Sequence, residues 1–449
     1  MSTEPPPEFP PGFRWGVATS AYQIEGGATA AGRGTSIWDT FARTPGRIAD
    51  GSTGEVACDH WHRHREDVAL LAGLGVSAYR FSVAWPRVQP GGTGPANAAG
   101  LDFYDRLVDD LAAAGVDPVA TLYHWDLPQP LEDAGGWLAR DTAARFAEYA
   151  DLVAARLGDR VRLWITLNEP FVQLSLGYGT GEHAPGRALL FDAFPVAHHQ
   201  LLGHGLAVAA LRARSAAPVA LTNNYSPVRV AGDGGADRAA ADAYDALHNR
   251  LFTDPLLGLG YPRLPMAVEP GTVRDGDLAV IAAPIDVLGV NYYNPTGVRA
   301  PEAGSPLPFE LVELPGHPRT ASGWPVAPDG LRELLTGLRA RYGERLPPIQ
   351  VTENGCAYDD VPDADGRVHD PQRIAYLDGH LRALRAALDD GVAVTGYFAW
   401  SLLDNWEWAE GFTRRFGLVH VDFATGARTP KSSYSWFRGV VTRPTPAGE

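Results

Sequence analysis

The chain is 449 residues long, 45% hydrophobic, with a net charge of −15 and two cysteines. It is long enough for one large core, since α/β barrels exceed the usual domain length as a single unit. It is too acidic for a nucleic-acid footprint, which needs clustered Lys and Arg. Cys58 and Cys356 are far apart and in no ligand-like spacing, which disfavours a disulfide framework or a cysteine metal site and suits a reducing compartment.

The elements read as follows in chain order. Residues 1–11 carry acids and five prolines in place of a basic patch and an apolar stretch, so no Sec-type signal is expected. Strand-forming runs follow at 14–19, 78–83, 118–122, 162–167, 219–223, 287–291, 349–352 and 393–399. Helical periodicity lies between them at 61–74, 101–114, 142–157, 191–213, 238–251, 328–342 and 371–390, with several helices ending near glycines that can take left-handed caps. Eight strands alternating with helices predict a closed (β/α)8 TIM barrel. An open doubly wound sheet is the rival, but no Gly-x-Gly-x-x-Gly opens a helix, and Gly73-x-Gly75 precedes a strand. Residues 1–8 read as a flexible lead, 9–442 as one catalytic domain and 443–449 as a tail. Segments 33–55, 174–190, 295–325 and 403–430 are rich in Gly and Pro, lack regular periodicity and follow strands, so they read as long loops on the face where barrels build their sites. Apolar runs fall short of the roughly 18 residues that span a membrane, and a cytoplasmic, soluble protein is expected.

Two segments place a carboxylate beside an asparagine directly after a strand: Thr166-Leu167-Asn168-Glu169-Pro170 and Val351-Thr352-Glu353-Asn354-Gly355. A barrel brings such strand ends to one rim, and two opposed carboxyl groups suit cleavage of a glycosidic bond. Either triplet alone is ordinary turn material. Agreement among segments carries more. The stretches at 13–26 and 79–82, Tyr123-His124-Trp125-Asp126-Leu127-Pro128, the two carboxylate segments, Gly289-Val290-Asn291-Tyr292-Tyr293 and the stretch at 400–408 together resemble family 1 glycoside hydrolases, the β-glucosidase family. The likeness runs in order from about 9 to 437.

The resemblance implies a retaining double displacement, with Glu169 as acid/base and Glu353 as nucleophile, their carboxyl groups roughly 5–5.5 Å apart. Arg80, Asn291 and Tyr293 look like the supporting residues; Arg80 and Tyr293 are expected to lower the pKa of Glu353, while dryness and the Glu353 charge raise that of Glu169. Gln23, His124, Trp125, Asn168, Trp324, Trp400, Glu407, Trp408 and Phe416 are implied substrate-binding residues, with Trp400 as a stacking platform and Asn168 near the sugar 2-hydroxyl. Phe171, Val172, Leu176 and His183, together with Trp324, resemble aglycone-side positions. Phe171 stands where the family usually has Trp, and Gln350 is more polar than usual. Glu407 as a carboxylate would repel a 6-phosphate. The implied partner is a small β-glycoside such as cellobiose or an aryl or alkyl β-glucoside, hydrolysed with side activity on β-galactosides or β-fucosides. No cofactor, metal, nucleic acid or membrane is implied, and the oligomeric state is open. A transglycosylase and a non-catalytic sugar-binding barrel are the alternatives.

Other conspicuous residues have blander readings. Of His60, His62 and His64, two could share a helix face, without a third ligand in register. His198, His199 and His204 read as imidazoles in an apolar helix, Asp105, Asp109 and Asp110 as a solvated face, and Trp61, Trp137, Trp164 and Trp436 as packing.

Overall fold

The computed structural model describes residues 5–265 and 268–443. All eight expected strands form: β1 (Arg14–Ala18), β2 (Ala78–Ser82), β3 (Asp117–Tyr123), β4 (Leu163–Asn168), β5 (Val219–Asn224), β6 (Val287–Asn291), β7 (Ile349–Asn354) and β8 (Val394–Trp400), none differing from expectation by more than two residues at an end. They pair in parallel and close into a barrel, β1 bonding to both β2 and β8. A helix follows each strand: α1 (His60–Leu74), α2 (Ala98–Ala113), α3 (Asp141–Leu157), α4 (Phe194–Arg214), α5 (Gly235–Asp245), α6 (Pro328–Tyr342), α7 (Pro371–Asp389) and α8 (Ser432–Val441). This is the (β/α)8 TIM barrel.

The two-residue period of a strand explains how the barrel positions its site. Ala78, Val119, Ala220 and Val287 pack together in the barrel interior. Two or four residues further on, the same inward rows reach Arg80, Thr121, Thr222 and Asn291, which hydrogen-bond to one another or to their neighbours. The apolar floor thus becomes a polar layer at the strands' C-terminal ends. Phe398 fills the interior against Gly16, where a Cβ would come within 2.2 Å of its ring.

The four stretches expected to be irregular loops carry structure of their own. Residues Ile37–Ala42 form a helix within the first. Gln173–Thr180 is a π-helix within the second. Thr296–Arg299 and Glu310–Val312 join Val228–Val230 in a three-stranded sheet, and Val419–Val421 pairs with Arg428–Pro430. Strands of only three or four residues are too short to leave a periodicity in the sequence. Likewise, the expected helix at 238–251 is α5 followed by a π-turn, Ala246–Arg250.

Of the expected lead and tail, 1–4 and 444–449 lie outside the described residues. The carbonyls of Pro5 and Pro6 accept from Arg382 and Arg443 at 3.0 and 2.8 Å. His60 is paired with Asp67 and His64 with Asp110. Asp105 and Asp109 form ion pairs with Arg156 and Arg160. Trp137 and Trp164 are fully buried.

A buried ionic cluster anchors the segment between β8 and α8. Lys431 Nζ donates to Asp360 at 2.6 Å and to Asp404 at 2.7 Å. Asp404 also accepts from Arg415 and from the Gly417 amide, and Arg373 pairs with Asp360 and Asp370. Removing one partner leaves charge without compensation in a dry site. Lys431→Met is therefore expected to cost about 3–5 kcal/mol, read as a lower midpoint in urea unfolding; an unchanged midpoint would refute this role.

Candidate active site

Both carboxylate segments coincide with a break in strand register. Between β4 and β5 the partners step from Ile165↔Ala220 to Asn168↔Thr222, one extra residue on β4. Between β7 and β6 they step from Val351↔Val290 to Glu353↔Asn291, again with one extra residue. Such bulges re-aim side chains at barrel rims, and here they turn Asn168, Glu169 and Glu353 into the polar layer. Glu169 has φ +45°, a left-handed conformation that strains a residue with a Cβ. Gly355 is required by close approach, since a Cβ there would meet the Trp400 carbonyl oxygen at 1.8 Å.

The strands and their loops enclose a cleft of about 430 Å³. Glu169, Glu353, Glu407, His124, Tyr293 and the indoles of Trp125, Trp324, Trp400 and Trp408 line it, as do Phe416, Val172, Leu176 and His183. Arg80, Asn168, Asn291 and Gln23 stand behind these residues, each at most 1% exposed. Phe171 is the exception among the expected aglycone-side residues. Its ring does not line the cleft but stacks on His248, centroids 4.3 Å apart. Several lining residues follow no recognised motif: Asn224 at the end of β5, Ser226 just beyond it, His248 in the π-turn, and Glu182, Glu410 and Arg414.

One network ties the two glutamates together. Arg80 Nη1 donates to Glu353 Oε1 at 2.5 Å, Arg80 Nη2 to Asn168 Oδ1 at 2.6 Å, and Arg80 Nε to Thr121 at 3.1 Å. The Tyr293 hydroxyl donates to Glu353 Oε2 at 2.7 Å. Among the described residues no cation contacts Glu169: its Oε1 accepts from Asn291 Nδ2 at 2.7 Å and from Asn224 Nδ2 at 3.1 Å. Thr352 donates to Asn291 Oδ1 at 2.8 Å, which fixes that amide's orientation. With two N–H groups aimed at Oε1, a proton on Glu169 belongs on Oε2.

The surroundings set the charge states. Burial first, and then the charge of Glu353, push Glu169 up to about 8. Glu353 is also raised, because burial outweighs Arg80 and Tyr293, which pull the other way. Arg80 and Tyr293 are in place and lower the value as expected, but their effect is smaller than the loss of water, so the net shift is upward. Between the two acids, Glu353 holds the guanidinium and is the one favoured to ionise. Glu407 is pushed up to about 8 by burial and then by Glu353, with Gln23 Nε2, 3.0 Å away, opposing. Glu407 thus holds a proton more readily than an exposed glutamate does. Burial, aided by Arg80, holds His124 well below its usual range. Asn168 Nδ2 donates to His124 Nε2 at 3.0 Å, so the neutral ring carries its proton on Nδ1, which has no partner among the described residues. An unpartnered donor, a carboxyl group and flat indoles are what a polyol ring requires.

A parallel eight-stranded barrel that gathers paired carboxyl groups, amides and indoles in a cleft at its C-terminal rim defines a glycosidase-type (β/α)8 protein. The model of glycosyl hydrolase family 1 matches residues 6–445, and the chain belongs to that family. It is 51% identical to a protein named thermostable beta-glucosidase B from Thermobispora bispora, covering 97% of this chain and 91% of that one. It is 45% identical to a bifunctional beta-D-glucosidase/beta-D-fucosidase from Bifidobacterium breve, covering 96% and 98%. The solved structure of a beta-glucosidase from Thermotoga maritima in complex with glucoimidazole superposes with a TM-score of 0.91 at 43% identity, covering 97% of this chain and 98% of that one.

Proposed function

We infer that this protein is a retaining β-glucosidase that removes terminal non-reducing β-D-glucosyl residues through a covalent glycosyl-enzyme. The observation that carries the reading is the unequal support of the two acids: Glu353 is held by Arg80 and Tyr293, while Glu169 is held by amides alone. An ionised Glu353 attacks the anomeric carbon as Glu169 Oε2 gives its proton to the departing oxygen. Once the ester forms, the Glu353 charge that raised Glu169 is gone, so Glu169, having given up its proton, stays ionised and takes one from the incoming water. Water attack restores Glu353 and releases the sugar with its original configuration.

His124, Trp125, Asn168, Glu407, Trp408 and Gln23 hold the glucosyl hydroxyls, with Trp400 beneath the ring. Trp324, Phe416, Val172, Leu176 and His183 face the leaving group, while Phe171 acts from behind the cleft wall. Glu407 brings a carboxyl group rather than a cation to its wall, which supports unphosphorylated substrates such as cellobiose and aryl or alkyl β-glucosides. The named activity of the Bifidobacterium relative supports β-fucosidase side activity. Among the described residues no helix is long and apolar enough to cross a membrane, and the two buried free thiols support a cytoplasmic setting.

A panel of nitrophenyl β-glucoside, β-galactoside, β-fucoside and 6-phospho-β-glucoside, assayed across pH, tests this. The β-glucoside is expected to be cleaved and the phosphorylated one refused. Because Glu169 must be protonated, kcat/KM is expected to fall as pH rises through about 8. Because Glu353 must be ionised and its pKa is raised, activity is also expected to fall on the acid side above the ordinary carboxylate range. No cleavage of the β-glucoside, or activity that keeps rising well above pH 8, would refute the assignment.

A further inference from the structure

Beyond Glu169 the cleft wall contains a histidine outside every recognised motif. His248 lies in the π-turn Ala246–Arg250, and such insertions cluster at functional sites. Its ring is 8% exposed, lines the cleft and stacks on Phe171 with the planes 23° from parallel. Nε2 meets Asn224 Oδ1 at 3.0 Å and Nδ1 meets the Tyr244 hydroxyl at 2.9 Å. Asn224 uses its nitrogen on Glu169 Oε1, so its oxygen accepts. Nε2 of His248 therefore carries the proton, and the Tyr244 hydroxyl donates to Nδ1. The donors run in one direction: Tyr244 to His248, His248 to Asn224, Asn224 to Glu169.

We propose that His248 is a positioning residue for the acid/base: through Asn224 it fixes which oxygen of Glu169 stays unprotonated, and so keeps the transferable proton on Oε2. This rests on the reading of Glu169 as proton donor. Burial holds the His248 ring down at about 4, so it remains a neutral, one-directional link while Glu169 titrates. The other titratable or charged groups facing Glu169 are Glu353, Glu407, Arg80 and Tyr293; facing His248 are Tyr244 and Asp245.

His248→Phe preserves the stack on Phe171 and removes the donor; His248→Gln retains an N–H. The expected result for His248→Phe is a roughly tenfold loss of kcat/KM on an alkyl β-glucoside, part of the about 10²–10⁴ that a general acid supplies, with dinitrophenyl β-glucoside within about twofold of wild type. The alkaline limb is expected to move to higher pH, because Asn224, no longer held by His248, loosens its bond to Glu169, a bond that favours the charged form. His248→Gln is expected to recover most of both effects, and His248→Phe is expected to add nothing in an Asn224→Ala background. Tyr244→Phe, which frees the tautomer, is expected to give a smaller shift of the same sign even if His248→Phe does not fold. Equal losses on both leaving groups, additivity with Asn224→Ala, or an unmoved limb in Tyr244→Phe would overturn the proposal. A wild-type enzyme inactive on every β-glucoside would instead overturn the reading of the site.

Discussion

Glu353→Ala is expected to lower turnover of an aryl β-glucoside by at least about 10⁴-fold, the scale on which loss of a catalytic nucleophile acts. The protein should remain folded, because Arg80 keeps its bonds to Thr121, Asn168 and the Thr352 carbonyl. The substitution opens a small space beside a buried guanidinium, where azide can sit. With dinitrophenyl β-glucoside and azide, the anion attacks from the side Glu353 occupied, and partial recovery with α-glucosyl azide as product is expected. Near-native turnover in the variant, or β-glucosyl azide as product, would show that Glu353 is not the nucleophile.

Glu169→Ala is expected to separate the two chemical steps. An alkyl leaving group needs a proton, so its release should slow by about 10²–10⁴-fold. Dinitrophenolate leaves without help, so the glycosyl-enzyme should still form quickly. Its hydrolysis then lacks a base, and the trace should show a burst of dinitrophenol followed by a slow steady state. The alkaline limb near 8 should vanish with the carboxyl group that causes it. A variant that slows both substrates equally would place Glu169 in a structural role instead.

Much of this site could be read from the sequence because its parts are local. The carboxylate segments sit at the C-terminal ends of strands whose β-branched and aromatic runs mark their bounds to within two residues, and barrel closure brings those ends together whatever their separation. The parts that escaped are products of tertiary structure. The bulges in β4 and β7 are visible only against their partner strands. Asn224 looks like any polar residue ending a strand, and His248 faces the cleft because a π-turn resets the helix that carries it. The net direction of the Glu353 pKa also escaped, because types of neighbour can be read from a sequence but the extent of water exclusion cannot.

The most direct measurement is proton NMR of the reducing sugar first released from a nitrophenyl β-glucoside, recorded before mutarotation. Two successive displacements at one carbon, the first by Glu353 and the second by water on the opposite face, predict β-glucose first, decaying toward the equilibrium mixture. First release of α-glucose would mean that water attacks directly, and would contradict a nucleophilic Glu353.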